Sequence, residues 1–186
     1  RGNQGLFVSE DGTIFIDKSK LANEVEAGLV VWHEASHPVM NIIRNTDKTL
    51  YDAVVRGLNE AAKKNEGVKG AIDWAQSQPE YDNLDTQNDE AIVETIGRIN
   101  AGLIDVASLD SGLRQKLIDF VNSIAKFFGI DPILNDTDIA AFKKTVSQVA
   151  DALKTGRDIS EIVGEENMFD YGVNLGSPVQ LKVSEA

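Results

Sequence analysis

Two short apolar runs near the start of the chain are typical of β-strands. Residues 6–8 (Leu-Phe-Val) and 13–16 (Thr-Ile-Phe-Ile) are rich in β-branched and aromatic side chains. Between them, Glu10, Asp11 and Gly12 supply the Asp-Gly signal of a tight turn. The pattern therefore predicts a β-hairpin over residues 5–17.

From about residue 20 the apolar positions follow a helical period instead. The period runs through Leu29 and Trp32, and the helix is expected to kink or end immediately after His37. Pro38 lacks a backbone N–H, and its ring would clash with the carbonyl of Glu34 one turn earlier. Further helices are predicted over residues 48–65, 68–75, 88–101, 113–128 and 138–155, with a loop over residues 76–87.

A hairpin followed by helices predicts an α+β domain that is mainly α. The 186 residues suffice for one well-buried core and are short for two. We expect this domain to occupy residues 1–163. Residues 164–186 contain scattered Gly, Asn and Pro without a helical period, and they predict an extended C-terminal tail.

The composition excludes several classes of function. Thirty acidic and 18 basic residues give a net charge of −12, which disfavours binding to nucleic-acid phosphates. The absence of cysteine removes disulfides, thiolate metal sites and cysteine nucleophiles. No apolar run approaches the roughly 20 residues that a membrane span needs. We therefore expect a soluble protein with no nucleic-acid or membrane partner, leaving the cytoplasm and a virus particle as open locations.

The segment Val31-Trp32-His33-Glu34-Ala35-Ser36-His37 carries the pattern H-E-x-x-H on a predicted helix. Residues four apart share a helical face, so the imidazoles of His33 and His37 can bind one zinc ion. Glu34 would lie beside the metal, where it can take a proton from a metal-bound water. The spacing therefore predicts a hydrolytic zinc site.

A chance occurrence of this pattern is the competing explanation. The chain has only two histidines, and both belong to the motif. Random placement would give this separation in roughly one chain in a hundred, before the glutamate is required. The apolar residues 29–32 also predict that the helix is buried next to the motif, where a metal site needs apolar surroundings that exclude water.

A catalytic zinc ion usually has three protein ligands and a water. Because the chain has no third histidine and no cysteine, the missing ligand is expected to be a carboxylate. The strongest candidates lie together at Asp89 and Glu90, followed one turn later by Glu94.

The run Asp89-Glu90-Ala91-Ile92-Val93-Glu94 resembles the N-E-A-x-x-D pattern of the gluzincins, the zincin branch that includes thermolysin. The resemblance covers roughly residues 5–100 and implies a zincin-like metallopeptidase domain. It implies that Glu90 is the third zinc ligand, with Asp89 as the runner-up. Glu94 would accept a hydrogen bond from a ring N–H of His33. Alternatively, Glu90 and Glu94 form a solvated acidic face, on which Glu94 pairs with Arg98.

The same resemblance assigns the second strand of the hairpin, residues 13–17, to the edge along which an extended substrate would pair. The chain between His37 and Glu90 is longer than in thermolysin, so the helices between them must fold back. No histidine remains to stabilise an oxyanion. Tyr51, Tyr81, Tyr171 or an arginine would have to do so, and the sequence does not choose among them.

These observations predict a zinc-dependent peptidase. Zinc would lower the pKa of its bound water towards about 7 and polarise the scissile carbonyl. Glu34 would accept the water proton and deliver it to the leaving amine.

The alternative is a non-catalytic or latent component of a larger assembly, cut from a precursor. The chain begins with Arg1 rather than Met, it has a long tail, and it has a general similarity to metallopeptidase-like domains of phage polyproteins. Its partners would then be other proteins of a viral assembly. In that case, the tail could dock at the edge strand and restrain activity.

Overall fold

A computed structural model describes residues 5–8, 13–17, 32, 33, 36, 40, 43–79, 83–154 and 181–184. Two of the expected site residues, Glu34 and His37, lie outside this part of the chain. So do most of the helix expected from residue 20 and most of the tail expected from residue 164.

Five helices form the body of the described chain: α1 Lys48–Ala62, α2 Glu66–Ser77, α3 Leu84–Asn100, α4 Ser111–Phe127 and α5 Ile139–Lys154. The side chains of Asp47, Asn65, Asn83 and Asp110 each accept a backbone N–H of the first turn, at α1 to α4 respectively. Such caps satisfy donors that have no partner inside a helix, so they fix where each helix begins.

The predicted start of the third helix was wrong. Residue 88 is already inside α3, which begins at Leu84 because the Asn83 side chain accepts the N–H of Thr86 at 2.9 Å. The loop expected over residues 76–87 is correspondingly shorter. Residues 66–67, which the predicted helices leave between them, lie in the first turn of α2, where Asn65 provides the cap.

Helix α3 ends where the chain turns left-handed at Gly102, whose φ is +75°. The N–H of Leu103 reaches back to the carbonyl of Arg98 at 2.8 Å, and that of Gly102 bonds to Ile99 at 3.0 Å. Glycine adopts this conformation without steric cost, and the two bonds satisfy carbonyls at the helix end.

Helix α3 is the central element of the body and contacts α1, α2 and α5. All residues from 90 to 97 are buried, so this stretch has no solvent face. Its apolar members join a core with large side chains from other parts of the described chain, among them Trp32, Leu58, Phe120, Phe128 and Phe142. Polar residues on this part of α3 are therefore held inside the protein.

The described residues also include three short strands: β1 Gly5–Val8, β2 Thr13–Asp17 and β3 Leu181–Ser184. They form one sheet in the order β1-β2-β3. β1 and β2 pair antiparallel with Leu6 opposite Phe15. β2 and β3 pair in parallel with Ile14 opposite Leu181, so the last strand lies along the side of β2 that β1 leaves open.

The described chain is mainly helical, which confirms the fold class at that level. The more detailed expectation, a hairpin built into a zincin-like domain, stays a prediction. Every described helix is too short or too polar to cross a bilayer.

Candidate metal centre

Trp32 anchors the helical segment that carries His33 against helix α3. Its indole is only 1% exposed, and its Nε1–H donates to the backbone carbonyl of Val93 at 3.1 Å. One turn later, the buried Ser36 hydroxyl donates to the carbonyl of Trp32 at 2.7 Å. These contacts place His33, the residue after Trp32, beside the buried stretch of α3.

His33 and Glu90 meet directly. Nε2 of the imidazole lies 2.8 Å from Oε2 of the carboxylate, and the two side chains are 13% and 2% exposed. A carboxylate costs a great deal of free energy to bury without a charged or hydrogen-bonding partner. The structure therefore brings one residue of the H-E-x-x-H motif together with the carboxylate favoured as the third ligand.

Glu94 lies on the other side of the same imidazole. Its Oε2 is 4.0 Å from Nδ1 of His33, and its Oε1 accepts a hydrogen bond of 2.8 Å from Nε of Arg98. Glu94 is only 4% exposed and Glu90 only 2%. The alternative of a solvated acidic face is therefore wrong, because α3 is central and this face is covered. The pairing of Glu94 with Arg98 that belonged to that alternative is nevertheless present.

The donor atoms at His33 and Glu90 have the chemistry that zinc prefers. With bonds of about 2.0–2.1 Å, neighbouring ligand atoms of a tetrahedral zinc site stand about 3.3 Å apart. The 2.8 Å between Nε2 of His33 and Oε2 of Glu90 would have to lengthen by about half an ångström. A rotamer adjustment covers such a change, so the pair fits the metal that the motif implies.

No group of three or more histidine, aspartate or glutamate side chains in the described residues is arranged to hold one ion. Glu90 and Glu94 face different nitrogens of His33, so they do not converge on a common point. The expected partner of His33 and Glu90 is His37, which lies outside those residues.

Trp74 of helix α2 contacts the His33 ring. The ring centroids are 5.5 Å apart and the planes stand at 89°, an edge-to-face arrangement. Aromatic pairs favour this geometry, because the positive edge of one ring meets the negative face of the other. Helix α2 carries none of the predicted ligands, yet it helps to hold the imidazole.

Asp89, the runner-up ligand, faces other partners. Its Oδ1 accepts the hydroxyl of Tyr51 at 2.6 Å, and its Oδ2 lies 3.1 Å from Nη1 of Arg44. Burial raises the pKa of Asp89 to about 6 and the nearby charge of Glu90 adds to the shift, while the contacts with Tyr51 and Arg44 oppose it. Asp89 therefore ties α3 to the start of α1.

Tyr51 was one of four candidates for stabilising an oxyanion, and the structure engages its hydroxyl elsewhere. Burial and the Asp89 carboxylate raise the pKa of Tyr51 well above its usual range, so the phenol stays protonated and donates to Asp89. Two other candidates, Tyr81 and Tyr171, lie outside the described residues.

Sequence reasoning missed the roles of Trp32, Arg44 and Trp74 around this cluster. Their contacts join segments far apart in the chain: Trp32 to Val93, and Arg44 to Asp89. Periodicity along one segment carries no signal for such pairings. The only hint was the placement of Trp32 and Trp74 on predicted helices of a chain with two tryptophans.

Comparison of the chain with protein-family models, with curated proteins and with solved structures gave no match.

Proposed function

We propose that this chain is a zinc-dependent peptidase of the gluzincin type. His33, His37 and Glu90 would hold the metal, and Glu34 would be the general base. The observation that carries the proposal is the buried contact of 2.8 Å between Nε2 of His33 and Oε2 of Glu90. Two motifs that are far apart in the sequence meet there, in the pairing that the resemblance implies.

Each residue has a separate task in the proposed reaction. A bound zinc ion would acidify a water molecule and polarise the carbonyl of a peptide bond. Glu34 would be the residue that accepts a proton from such a water and returns it to the leaving amine. Glu94 faces Nδ1 of His33 and favours the ring orientation in which Nε2 is directed at Glu90.

We also propose the finer architecture that goes with this activity. Residues 1–163 would form a zincin-like domain, in which β2 would receive an extended substrate on the side where β3 now pairs, once β3 has left it. Residues 164–186 would form the tail. Backbone pairing along β2 would give affinity for peptides with little dependence on their side chains.

A second candidate is a latent or packaged protein in which the same fold serves a larger assembly, for instance in a virus particle. The pairing of β3 with β2 supports it, because the last strand occupies the edge assigned to the substrate. In that case, the protein would hold zinc but cleave peptides only after the tail is released or removed.

The test is the variant Glu34→Gln, which keeps the size of the side chain and removes the base. We expect hydrolysis of a peptide library to fall to background, while zinc content stays near one ion per chain. Glu60→Gln is the matched control, because Glu60 is exposed and forms an exposed ion pair with Lys63.

Loss of zinc from Glu34→Gln would contradict the assignment of Glu34 as a base rather than a ligand. Unchanged hydrolysis in that variant, or activity that survives removal of zinc by a chelator, would overturn the peptidase proposal. Bound zinc without hydrolysis in the full chain, with hydrolysis after removal of the tail, would favour the latent candidate.

A further inference from the structure

Arg98 occupies a position from which it can fix the orientation of Glu94. Both residues lie on helix α3, one turn apart, and Nε of Arg98 donates to Oε1 of Glu94 at 2.8 Å. This leaves the other carboxylate oxygen, Oε2, facing Nδ1 of His33 at 4.0 Å. The Glu94 carboxylate thus lies between the guanidinium, to which it is hydrogen-bonded, and the imidazole.

The guanidinium is itself held by the neighbouring helix. Its Nη1 lies 3.4 Å from the carbonyl oxygen of Gly67, in the first turn of α2. A Cβ at Gly70, one turn further on, would stand only 2.9 Å from the same nitrogen. The missing side chain at Gly70 therefore leaves the space into which Arg98 reaches.

Helix α2 contacts the imidazole a second time through Trp74, whose ring stands edge-to-face with that of His33. Glu94 and Arg98 are mostly buried, with side-chain exposures of 5% and 20%. An ion pair with little access to water resists reorientation more strongly than an exposed pair, because its partners are weakly screened.

We infer that Arg98 is a positioning residue for the metal centre. It acts through Glu94 to fix the Nδ1 side of His33, so that Nε2 is directed towards Glu90. The inference rests on the proposed role of His33 and Glu90 as metal ligands. It adds a residue that contacts neither the metal nor the substrate, and it gives helix α2 a part in the site.

The first experiment measures zinc affinity by competition with a chromophoric chelator. Arg98→Met keeps an unbranched apolar stem and removes the guanidinium with its charge, and we expect it to weaken zinc binding by about 10–100-fold. Arg98→Lys keeps the charge but lacks the planar guanidinium, so it should lose less zinc affinity than Arg98→Met. Arg114→Met is the matched control, because Arg114 also forms a part-buried ion pair, with Asp136, away from this cluster. It should leave zinc affinity unchanged.

A double-mutant cycle separates positioning from general damage to the fold. If Arg98 acts through Glu94, then Arg98→Met should add less than about threefold to the loss already caused by Glu94→Gln. If Arg98→Met lowers zinc affinity equally in the parent protein and in Glu94→Gln, the inference is overturned. Unchanged zinc affinity in the single variant would overturn it as well.

Gly70→Ala supplies a variant that keeps Arg98 and favours folding. Alanine is the better helix former, so the helix itself should be stabilised, while the new methyl group displaces Nη1 of Arg98. We expect a loss of zinc affinity of about threefold or more in a folded protein, and an unchanged affinity would count against the inference.

A readout without metal distinguishes this inference from the proposed function. The ring ¹⁵N chemical shifts of His33 can be followed in metal-free protein, with His37→Gln to leave a single histidine. The Nδ1 shift should change in Arg98→Met and not in Arg114→Met. If the chain binds no zinc, the proposed function fails, and the Nδ1 shift still decides whether Arg98 positions His33. No change in that shift would overturn the inference.

Discussion

Nε2 of His33 lies 2.8 Å from Oε2 of Glu90, although helices α1 and α2 separate the two residues in sequence. The distance requires those helices to fold back, so that α3 returns beside the segment that carries His33. The long connection between these two segments is accommodated in this way.

Replacing Glu90 should damage zinc binding more than replacing Asp89. Glu90→Ala removes the carboxylate next to His33, and we expect zinc affinity to fall by at least about 100-fold, beyond the 10–100-fold typical of an indirect contact. Asp89→Ala removes a carboxylate that faces Tyr51 and Arg44 instead, so it should lose less. Glu94→Ala should fall in the range of about 10–100-fold. Isothermal titration of the folded variants checks this order. Weaker zinc binding by Asp89→Ala than by Glu90→Ala would show that Glu90 is the wrong choice of third ligand.

Replacing Tyr51 by Phe should destabilise the protein in a pH-dependent way. The hydroxyl donates to Asp89, whose pKa is raised by burial to about 6, so Asp89 is charged at pH 7.5 and mostly protonated at pH 4.5. A raised carboxyl pKa means that its contribution to stability is present at acid pH and lost as pH rises through about 6. Tyr51→Phe should deepen that loss, because the charged carboxylate no longer accepts a hydrogen bond from the phenol. The free energy of unfolding should fall by about 1–3 kcal/mol at pH 7.5 and by less at pH 4.5.

Urea unfolding of chelator-treated protein at the two pH values measures this difference. Asp89→Asn is the control background, because it removes the titrating group while keeping its size. In that background, the cost of Tyr51→Phe should not depend on pH. A cost in the parent protein that is equal at both pH values, or larger at pH 4.5, would contradict the prediction.

Trp32→Phe should weaken both the fold and the metal site. The change removes the hydrogen bond from the indole to the carbonyl of Val93 and leaves unfilled volume in the core, at a cost of about 1–3 kcal/mol. Zinc affinity should also fall, though by less than in Glu90→Ala, because the segment that carries His33 loses its anchor. Thermal unfolding and chelator competition measure the two effects. Trp74→Phe, at a less buried tryptophan, should cost less stability.

Removing the chain after Gly164 should raise peptidase activity. The truncation deletes β3, which pairs along β2 at the edge assigned to the substrate. Initial rates on an extended peptide substrate, compared between the full and truncated chains at equal zinc content, test this. Substituting Val183 by Pro in the full chain should have a similar effect, since proline cannot donate to the strand pairing. Equal rates in all three proteins would rule out restraint by the tail.

Much of the helical body could be predicted from the sequence, because helical periodicity and capping residues are local signals. Asp47 stands directly before the predicted start of α1 at residue 48, and its side chain caps that helix. The start of α3 was misplaced because residues 84–89 are mostly polar, and they conceal the helix until the Asn83 cap is recognised. Helix boundaries in such polar stretches depend on one side chain.

The candidate site was less accessible to sequence reasoning. The proximity of Glu90 to His33 was expected from a motif, whereas its burial was not settled by the sequence. The acidic face formed by Glu90 and Glu94 could be exposed to solvent or buried at a metal site. Both residues are buried because α1, α2 and α5 pack around α3. The contacts of Arg44 with Asp89 and of Trp74 with His33 depend on that packing and carry no local pattern.

The burial of every residue from 90 to 97 has a consequence for the motions of this protein. Amide protons exchange with solvent only when their helix opens, and helices enclosed by packing open at a free energy close to that of global unfolding. The backbone of α3 should therefore exchange more slowly than the exposed ends of α1 and α2. Glu90 and Glu94 would then be held on a part of the described chain that fluctuates little, so their spacing would survive local openings elsewhere.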